Sequence, residues 1–380
     1  MGSFSLSAGE IFTPYEYIKD GVITIENGII TDIKKGKTGE MSLDFPSSII
    51  APGFIDVHTH GIADADVMDA SAKSIDKMKE AYASHGVTSF CPTTETAPLN
   101  HIEKALNAIK ASKNLGAKAL GVHLEGPFLS LEKPGAQIVE DIRPPSKEEF
   151  DELWNTSERS IKLMTIAPEV PGATKLIRYV SLLGVTVSMG HSNATYDEAL
   201  AGIRAGVSHT THLFNGMRAY HHREPGGIGA VLENPNVSVE LITDFVHLHP
   251  ATIQLVYTVK PKNKVIVVTD SIRAADMPDG LYKDRFELYV KDGEARLPNG
   301  TLAGSTLTLD KALRNLVFEL RVPIKDAMTM ITANPAKCIK VDDKIGSIEI
   351  GKCADLVVLD RDLNVMRTFI DGEIIFKRKL

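Results

Sequence analysis

Residues 184–217 read GVTVSMGHSNATYDEALAGIRAGVSHTTHLFNGM. The segment opens on an apolar run that ends near Met189, passes through TYDEALAGIRAG, and closes on a second run ending near His212. TYDEALAGIRAG sets apolar residues at i, i+3 and i+4 and stops on Gly206, where a left-handed helix cap favours glycine. The segment therefore reads as strand, helix, strand, with His191 and His212 at the ends of its two strands.

The same unit repeats outward in both directions. Short apolar runs end near His58, Cys91, Glu125, Ile166, Met189, His212, Ile242 and Thr269, eight in all, spaced by 23 to 41 residues. SIDKMKEAYASHG, HIEKALNAIKASKNLG and ATKLIRYVSLLG fill gaps between them with the same helical period and the same closing glycine. Eight strand–helix repeats predict an α/β fold built on a closed (β/α)8 TIM-like barrel, with an open doubly wound sheet as the alternative. Residues 281–303 interrupt the repeat with a predicted hairpin, RFELYVKDGEARL. Helices around 308–320 and 324–333 then close and extend the barrel. At the start, GVITIENGIITDIKK alternates around Asn27-Gly28; near the end, IGSIEIGKCADLVVLD and VMRTFIDGEIIF follow suit, with Asp371-Gly372 as a turn. Asn-Gly and Asp-Gly between such runs are hairpin signals. The reading is one small β-sandwich domain formed by both termini (1–51 plus 340–380) around a barrel at 52–339. Two separate β appendages are the alternative.

Composition narrows the function. The 380 residues are 43% hydrophobic and 24% charged, ordinary globular values. Charge sums to 42 − 49 = −7, which offers no basic footprint for nucleic acid or an anionic membrane. The three cysteines, Cys91, Cys338 and Cys353, form no CxxC pair, which predicts a reducing compartment. No apolar run approaches the ~18 residues that span a bilayer, and MGSFSLSAGE has no secretory pattern. Gly2 permits myristoylation, but Leu6 stands where Ser or Thr is wanted. The expectation is a cytoplasmic protein. The chain has no G-x-G-x-x-G after an early strand, no Walker A motif and no G-x-S-x-G elbow.

The chemistry gathers at strand ends. His58 and His60 follow GFIDV; residues i and i+2 on a strand share a face, so both imidazoles enter one space. Glu125 ends the third strand just before Gly-Pro, and His123 shares its face as a satisfied core histidine or an outer partner. His191 and His212 close the fifth and sixth strands. His209, three residues earlier, is expected to face away. Asp270 stops the Val/Ile run KVIVVTDS. Barrel active sites lie on this C-terminal face. Imidazoles with carboxylates there predict one or two divalent ions, Zn²⁺ or Fe²⁺. A bound cation supplies hydroxide near neutral pH and polarises a carbonyl. Asp270 then moves the proton from attacking water to the leaving group. The predicted reaction is hydrolysis of an amide-like bond without a covalent intermediate.

PGFIDVHTHG, HLEGPFLS, GHSNATYDEALAG, THLFNGMRAYHHREPG, DFVHLHP, VTDS and LAGSTLTLD, in order from about residue 50 to 310, resemble the N-acetylglucosamine-6-phosphate deacetylases of the amidohydrolase superfamily. The resemblance implies Glu125, His191 and His212 as primary metal ligands and His58 and His60 as second-site ligands that some members have lost. It implies Asp270 as catalytic acid/base. For substrate it implies Asn215 and Gly216 as backbone contacts, Arg223 and His247 as the phosphate-binding pair, and Leu302, Ala303 and Gly304 as a loop over the sugar. It also implies a homodimer in which the neighbouring subunit helps to hold the phosphate. Arg suits bidentate phosphate contact; on composition alone Arg223 reads equally as a solvated surface residue.

One position departs from the pattern. The family usually carries Lys-Gly-Ala-His after Glu-Gly-Pro-Phe, and here Pro134-Gly135-Ala136-Gln137 stands instead. Ala136 and Gln137 remain substrate-side candidates, but Gln137 carries no charge. A second ion then polarises the acetyl carbonyl, or the preferred sugar differs, N-acetylgalactosamine 6-phosphate being one option. The competing readings are a dihydroorotase or isoaspartyl dipeptidase, which commonly bridge metals with a carbamylated lysine, and a barrel that has lost its metals and serves as a scaffold.

Overall fold

The computed structural model of the chain describes residues 2–36, 42–113, 116–283, 285 and 287–379. Eight parallel strands form the central sheet: Phe54–Thr59, Val87–Thr94, Val122–Glu125, Ile161–Ile166, Thr186–Met189, Val207–Thr210, Ser238–Ile242 and Val265–Val268. They pair in sequence order. The last returns to the first just past their C-terminal ends, where Asp270 N–H donates to the His58 carbonyl at 2.9 Å and Thr59 bridges Ser271. That closure makes a barrel rather than an open sheet. The strands are buried almost throughout, as expected of parallel strands covered by helices, and this is why most of them read as largely apolar runs.

Helices Ala72–Ser84, Leu99–Ala111, Lys147–Thr156, Ala173–Leu182, Tyr196–Ala205, Gly226–Glu233, Pro250–Val259 and Leu309–Arg314 follow the eight strands in turn. Tyr196–Ala205 shows how sequence sets its limits. Thr195 and Glu198 form a reciprocal capping box at its start, and Gly206 ends it at φ 135°. The helix expected to run to Gly116 ends at Ala111, and Asn114 and Leu115 of that reading lie outside the described residues.

Both termini enter one seven-stranded sheet, in the order Glu373–Lys377, Val365–Ile370, Leu356–Leu359, Ser42–Pro52, Ser3–Phe12, Tyr17–Glu26, Ile29–Lys35. The two expected hairpins are there, with Asn27, Gly28, Asp371 and Gly372 all at φ between 49° and 81°, as a type I′ turn requires. IGSIEI is not a strand; residues 345–352 turn, and the strand begins at Leu356. The hairpins lie at opposite edges of the sheet, yet their turns meet: Ala354 N–H donates to the Gly28 carbonyl at 2.7 Å and Gly372 N–H to the Ala354 carbonyl at 3.1 Å. The sheet is therefore folded over, in sandwich fashion, around its own core of Leu6, Ile23, Ile25, Ile50, Leu356 and Phe369.

After the eighth strand, Gly280–Lys283, Glu287–Lys291 and Glu294–Arg296 form a three-stranded flap, one strand more than the expected hairpin. Leu288, Val290 and Ala295 pack it onto Ile272, Ala274 and Ala303, which places it over the C-terminal rim. Among the described residues no helix is long and apolar enough to cross a membrane.

Candidate functional site

The predicted ligands reach the rim by a shared backbone device. His191, His212 and Asp270 each stand two residues past the end of a strand, at φ 46°, 26° and 49°. Left-handed backbone at non-glycine residues costs on the order of 1–3 kcal/mol each and concentrates at functional sites. Here it turns each chain inward, so that the side chain enters the barrel mouth. Glu125 is the last residue of its strand, and His58 lies within the first.

All six side chains converge. Glu125 Oε1 lies 3.2 Å from His191 Nε2, 3.2 Å from His212 Nε2 and 3.4 Å from His58 Nε2. Its Oε2 lies 3.3 Å from His60 Nε2. Asp270 Oδ1 lies 3.4 Å from His58 Nε2 and 3.2 Å from His60 Nε2. Among the described residues three groups could each hold a metal ion: Glu125/His191/His212 and His58/His60/Glu125, which share one carboxylate, and His58/His123/Glu240 deeper in the barrel.

Three of the four imidazoles face an acceptor through Nδ1. His191 Nδ1 meets the Lys133 carbonyl at 3.1 Å, His60 Nδ1 the Thr93 carbonyl at 3.2 Å, and His58 Nδ1 the Glu240 carboxylate at 2.9 Å. A carbonyl or carboxylate only accepts, so Nδ1 carries a hydrogen, and in the neutral ring Nε2 holds the lone pair that can ligate. His58 Nε2 is buried and has no hydrogen-bond partner among the described residues. His191 Nε2 and His212 Nε2 stand 3.1 Å apart. Nitrogen lone pairs crowded against a shared carboxylate fit a divalent cation of the kind imidazole and carboxylate select.

Charge follows the same layout. Burial alone would raise the Glu125 carboxyl, but His58, His191 and His212 around it hold it well below the usual carboxylate range. Asp270 is likewise lowered by His58 and His60 against its burial. His123 is pushed down to about 3 by burial and by His58. Its nitrogens meet the Val57 carbonyl and Thr165 Oγ1, so it is the satisfied core histidine of the two readings above.

His209 departs from expectation. Three residues apart on one strand, His209 and His212 would face opposite ways, but the strand ends at Thr210 and His212 lies on the left-handed turn. His209 therefore points into the barrel, with Nε2 2.8 Å from Glu240 Oε1. Glu240 was not singled out in the sequence. Its signal is a carboxylate inside the apolar strand SVELI, where a buried charge demands partners.

The site opens into a cavity of about 380 Å³, within the range of small-molecule sites. His60, Glu125, His191, His212 and Asp270 line its floor. Ala136, Gln137, Asn215, Gly216 and His247 line its sides, and Leu302, Ala303 and Gly304 border it next to the flap. Glu95, Arg273 and Arg296, which sequence reasoning did not single out, line it too. His247 Nδ1 pairs with Asp244 Oδ2 at 2.6 Å; burial lowers its pKa, but Asp244 outweighs that and raises it. Arg223 is the exception. It lies exposed outside the cavity, its Nη1 2.9 Å from its own His222 Nε2, because a tight turn closed by His221 and Glu224 carries it outward.

The amidohydrolase family model matches residues 49–375. The chain is 38% identical to an N-acetylglucosamine-6-phosphate deacetylase of Bacillus subtilis, over 97% of this chain and 96% of that protein. It is 36% identical to an N-acetylgalactosamine-6-phosphate deacetylase of Escherichia coli O157:H7, over 97% and 98%. Among solved structures, a variant N-acetyl-D-glucosamine-6-phosphate deacetylase of Mycobacterium smegmatis in complex with N-acetyl-D-glucosamine-6-phosphate is similar at a TM-score of 0.93 and 30% identity, covering 99% of this chain and all of that one.

Proposed function

The chain belongs to the amidohydrolase family, and we propose that it hydrolyses the N-acetyl group of an N-acetylhexosamine 6-phosphate to acetate and the amino-sugar 6-phosphate. The observation that carries this reading is Glu125, set between His191/His212 on one oxygen and His60 on the other, with Asp270 3.2 Å from His60. His191, His212 and Glu125 would hold one divalent ion, Zn²⁺ or Fe²⁺, and His58 and His60 with Glu125 would hold a second; a cation so held would make water nucleophilic near neutral pH and polarise the acetyl carbonyl.

Asp270 carries the proton. Its carboxylate, 3.2 Å from His60 Nε2, is placed to take a proton from water as the new C–O bond forms. It returns that proton to the amide nitrogen as the C–N bond breaks, so acetate and a free amine leave. Asn215 and Gly216 orient the sugar, Ala136 and Gln137 border the acetyl group, and Leu302, Ala303 and Gly304 cover the ring. His247, raised by Asp244, offers a cationic imidazole to the phosphate.

Arg223 serves the same phosphate from a neighbouring subunit of a homodimer; its exposure outside its own cavity supports that role. The three cysteines, unpaired among the described residues, support a cytoplasmic setting. Relatives named for each sugar epimer are 36–38% identical to the chain. The test is acetate release from N-acetylglucosamine and N-acetylgalactosamine 6-phosphates, with and without added Zn²⁺ or Fe²⁺. Metal-stimulated release from either supports the reading; none from both, in protein that has bound metal, refutes it.

A further inference from the structure

Glu240 lies in the middle of the seventh barrel strand and is fully buried. That strand ends without a predicted ligand, so nothing in the reaction above calls for a carboxylate on it. An isolated buried carboxylate is strongly unfavourable unless hydrogen bonds satisfy it. Glu240 accepts three: Oε2 from His58 Nδ1 at 2.9 Å and from the His212 backbone N–H at 3.0 Å, and Oε1 from His209 Nε2 at 2.8 Å. Its own carbonyl accepts the Leu213 N–H at 3.0 Å. One residue thus grips the first strand's histidine and the backbone turn that delivers His212.

The consequence for His58 is chemical as well as positional. Either imidazole nitrogen can carry the hydrogen in a neutral ring. Because the carboxylate beside Nδ1 only accepts, the hydrogen is held there, and Nε2 presents its lone pair to Glu125 and Asp270, 3.4 Å from each. The opposite tautomer would turn an N–H toward those carboxylates and remove His58 as a ligand. We infer that Glu240 is a positioning residue for the second metal subsite, holding His58 in its ligating tautomer and orientation. The inference rests on the two-metal reading above.

Two variants separate orientation from charge. Glu240→Ala removes every side-chain acceptor and keeps the main-chain carbonyl. Glu240→Gln can keep its amide oxygen toward His58 and His212 and turn its NH₂ to His209, whose other nitrogen faces Cys338 Sγ at 3.5 Å. Metal content per chain and affinities by chelator competition are measured on both and on the parent. Loss of an outer partner typically weakens metal affinity on the order of 10–100-fold. The expected result is that loss for the second ion in Glu240→Ala, a smaller one for the first ion because the His212 backbone N–H loses its acceptor, and retention of both ions in Glu240→Gln. In a His58→Gln background, Glu240→Ala should change second-ion binding no further. Parent-like binding of two ions by Glu240→Ala, equal loss in both single variants, or an undiminished effect without His58 would each overturn the proposal. Should Glu240→Ala not fold, ¹⁵N shifts of the histidine side chains in the zinc-loaded parent decide: His58 with its hydrogen on Nδ1 and the metal on Nε2 supports the proposal, and the reverse overturns it. A parent that binds no divalent ion would instead refute the two-metal reading itself.

Discussion

Gln137 donates from its amide Nε2 to Glu125 Oε2 at 2.9 Å, and the opposite end of the same amide accepts the Thr96 backbone N–H at 2.8 Å. The orientation is forced, since a carboxylate only accepts and a backbone N–H only donates. Gln137 therefore braces the shared carboxylate at the position where the family usually has histidine. Hydrogen bonds to charged groups are worth about 1.5–3 kcal/mol. Gln137→Leu, similar in size and unable to bond, should lower kcat/KM on the order of 10–100-fold and weaken metal retention. Steady-state kinetics with metal analysis check this; parent values for both would remove the brace.

Asp270→Asn keeps the shape of the site but cannot take up a proton. General acid–base catalysis contributes on the order of 10²–10⁴-fold. The variant should keep its bound metal and lose turnover on that scale. Near-parent turnover at equal metal content would exclude Asp270 as the proton carrier.

The Nδ1–Cε1 edge of His191 packs against two glycines. A Cβ at Gly216 would come within 3.0 Å of His191 Nδ1, and one at Gly135 within 3.0 Å of His191 Cε1. Gly216 also sits at φ 59°, where a side chain adds roughly 1–2 kcal/mol of strain. Gly216→Ala should lower Tm and push His191 off the Lys133 carbonyl, weakening the first metal triad. Thermal melts with and without chelator read both effects. A drop in Tm of the same size in the chelated and metal-loaded forms would mean the ring has not moved.

His85, at the end of the first barrel helix, ties it to Asp310 at 3.1 Å and Asp276 at 3.4 Å. Burial lowers its pKa, but the Asp276 and Asp310 carboxylates beside it outweigh that and push it up to about 9, from an ordinary 6.5. A raised basic pKa stabilises the fold fully below pH 6.5, and the gain fades as pH climbs through 9. The same pair lowers the Asp310 carboxyl despite its burial, so the aspartate's share fades in acid instead. His85→Gln should cost roughly 2–3 kcal/mol near pH 6.5–7. The difference from the parent should shrink toward pH 10 in urea melts. A cost that held constant across that range would assign His85 a packing role only.

Much of this molecule is local. Parallel strands buried on both faces are mostly apolar, so VIVVTDS and GFIDV declare themselves without neighbours, and strand ends carrying His or Asp mark the rim. The Asn27-Gly28 and Asp371-Gly372 turns are equally self-contained, since left-handed backbone is a property of the residues that adopt it. IGSIEI alternates just as well and yet is no strand, because alternation alone does not supply a pairing edge.

Function-bearing detail of another kind depends on partners remote in the chain. Glu240 looks like an anomaly inside an apolar run until His58, 182 residues away, and His209 appear beside it. Gln137 reads as a substitution at a substrate position until folding brings Thr96 and Glu125 to its two ends. Arg223 matches a phosphate ligand by motif, yet the turn closed by His221 and Glu224 carries it outside the cavity. The chain's order of residues dictates which groups are available and which face of an element they occupy, because those follow from backbone periodicity. Which lone pair meets which hydrogen is decided by barrel closure, because bonds of about 3 Å form only after strands far apart in sequence are brought to one rim.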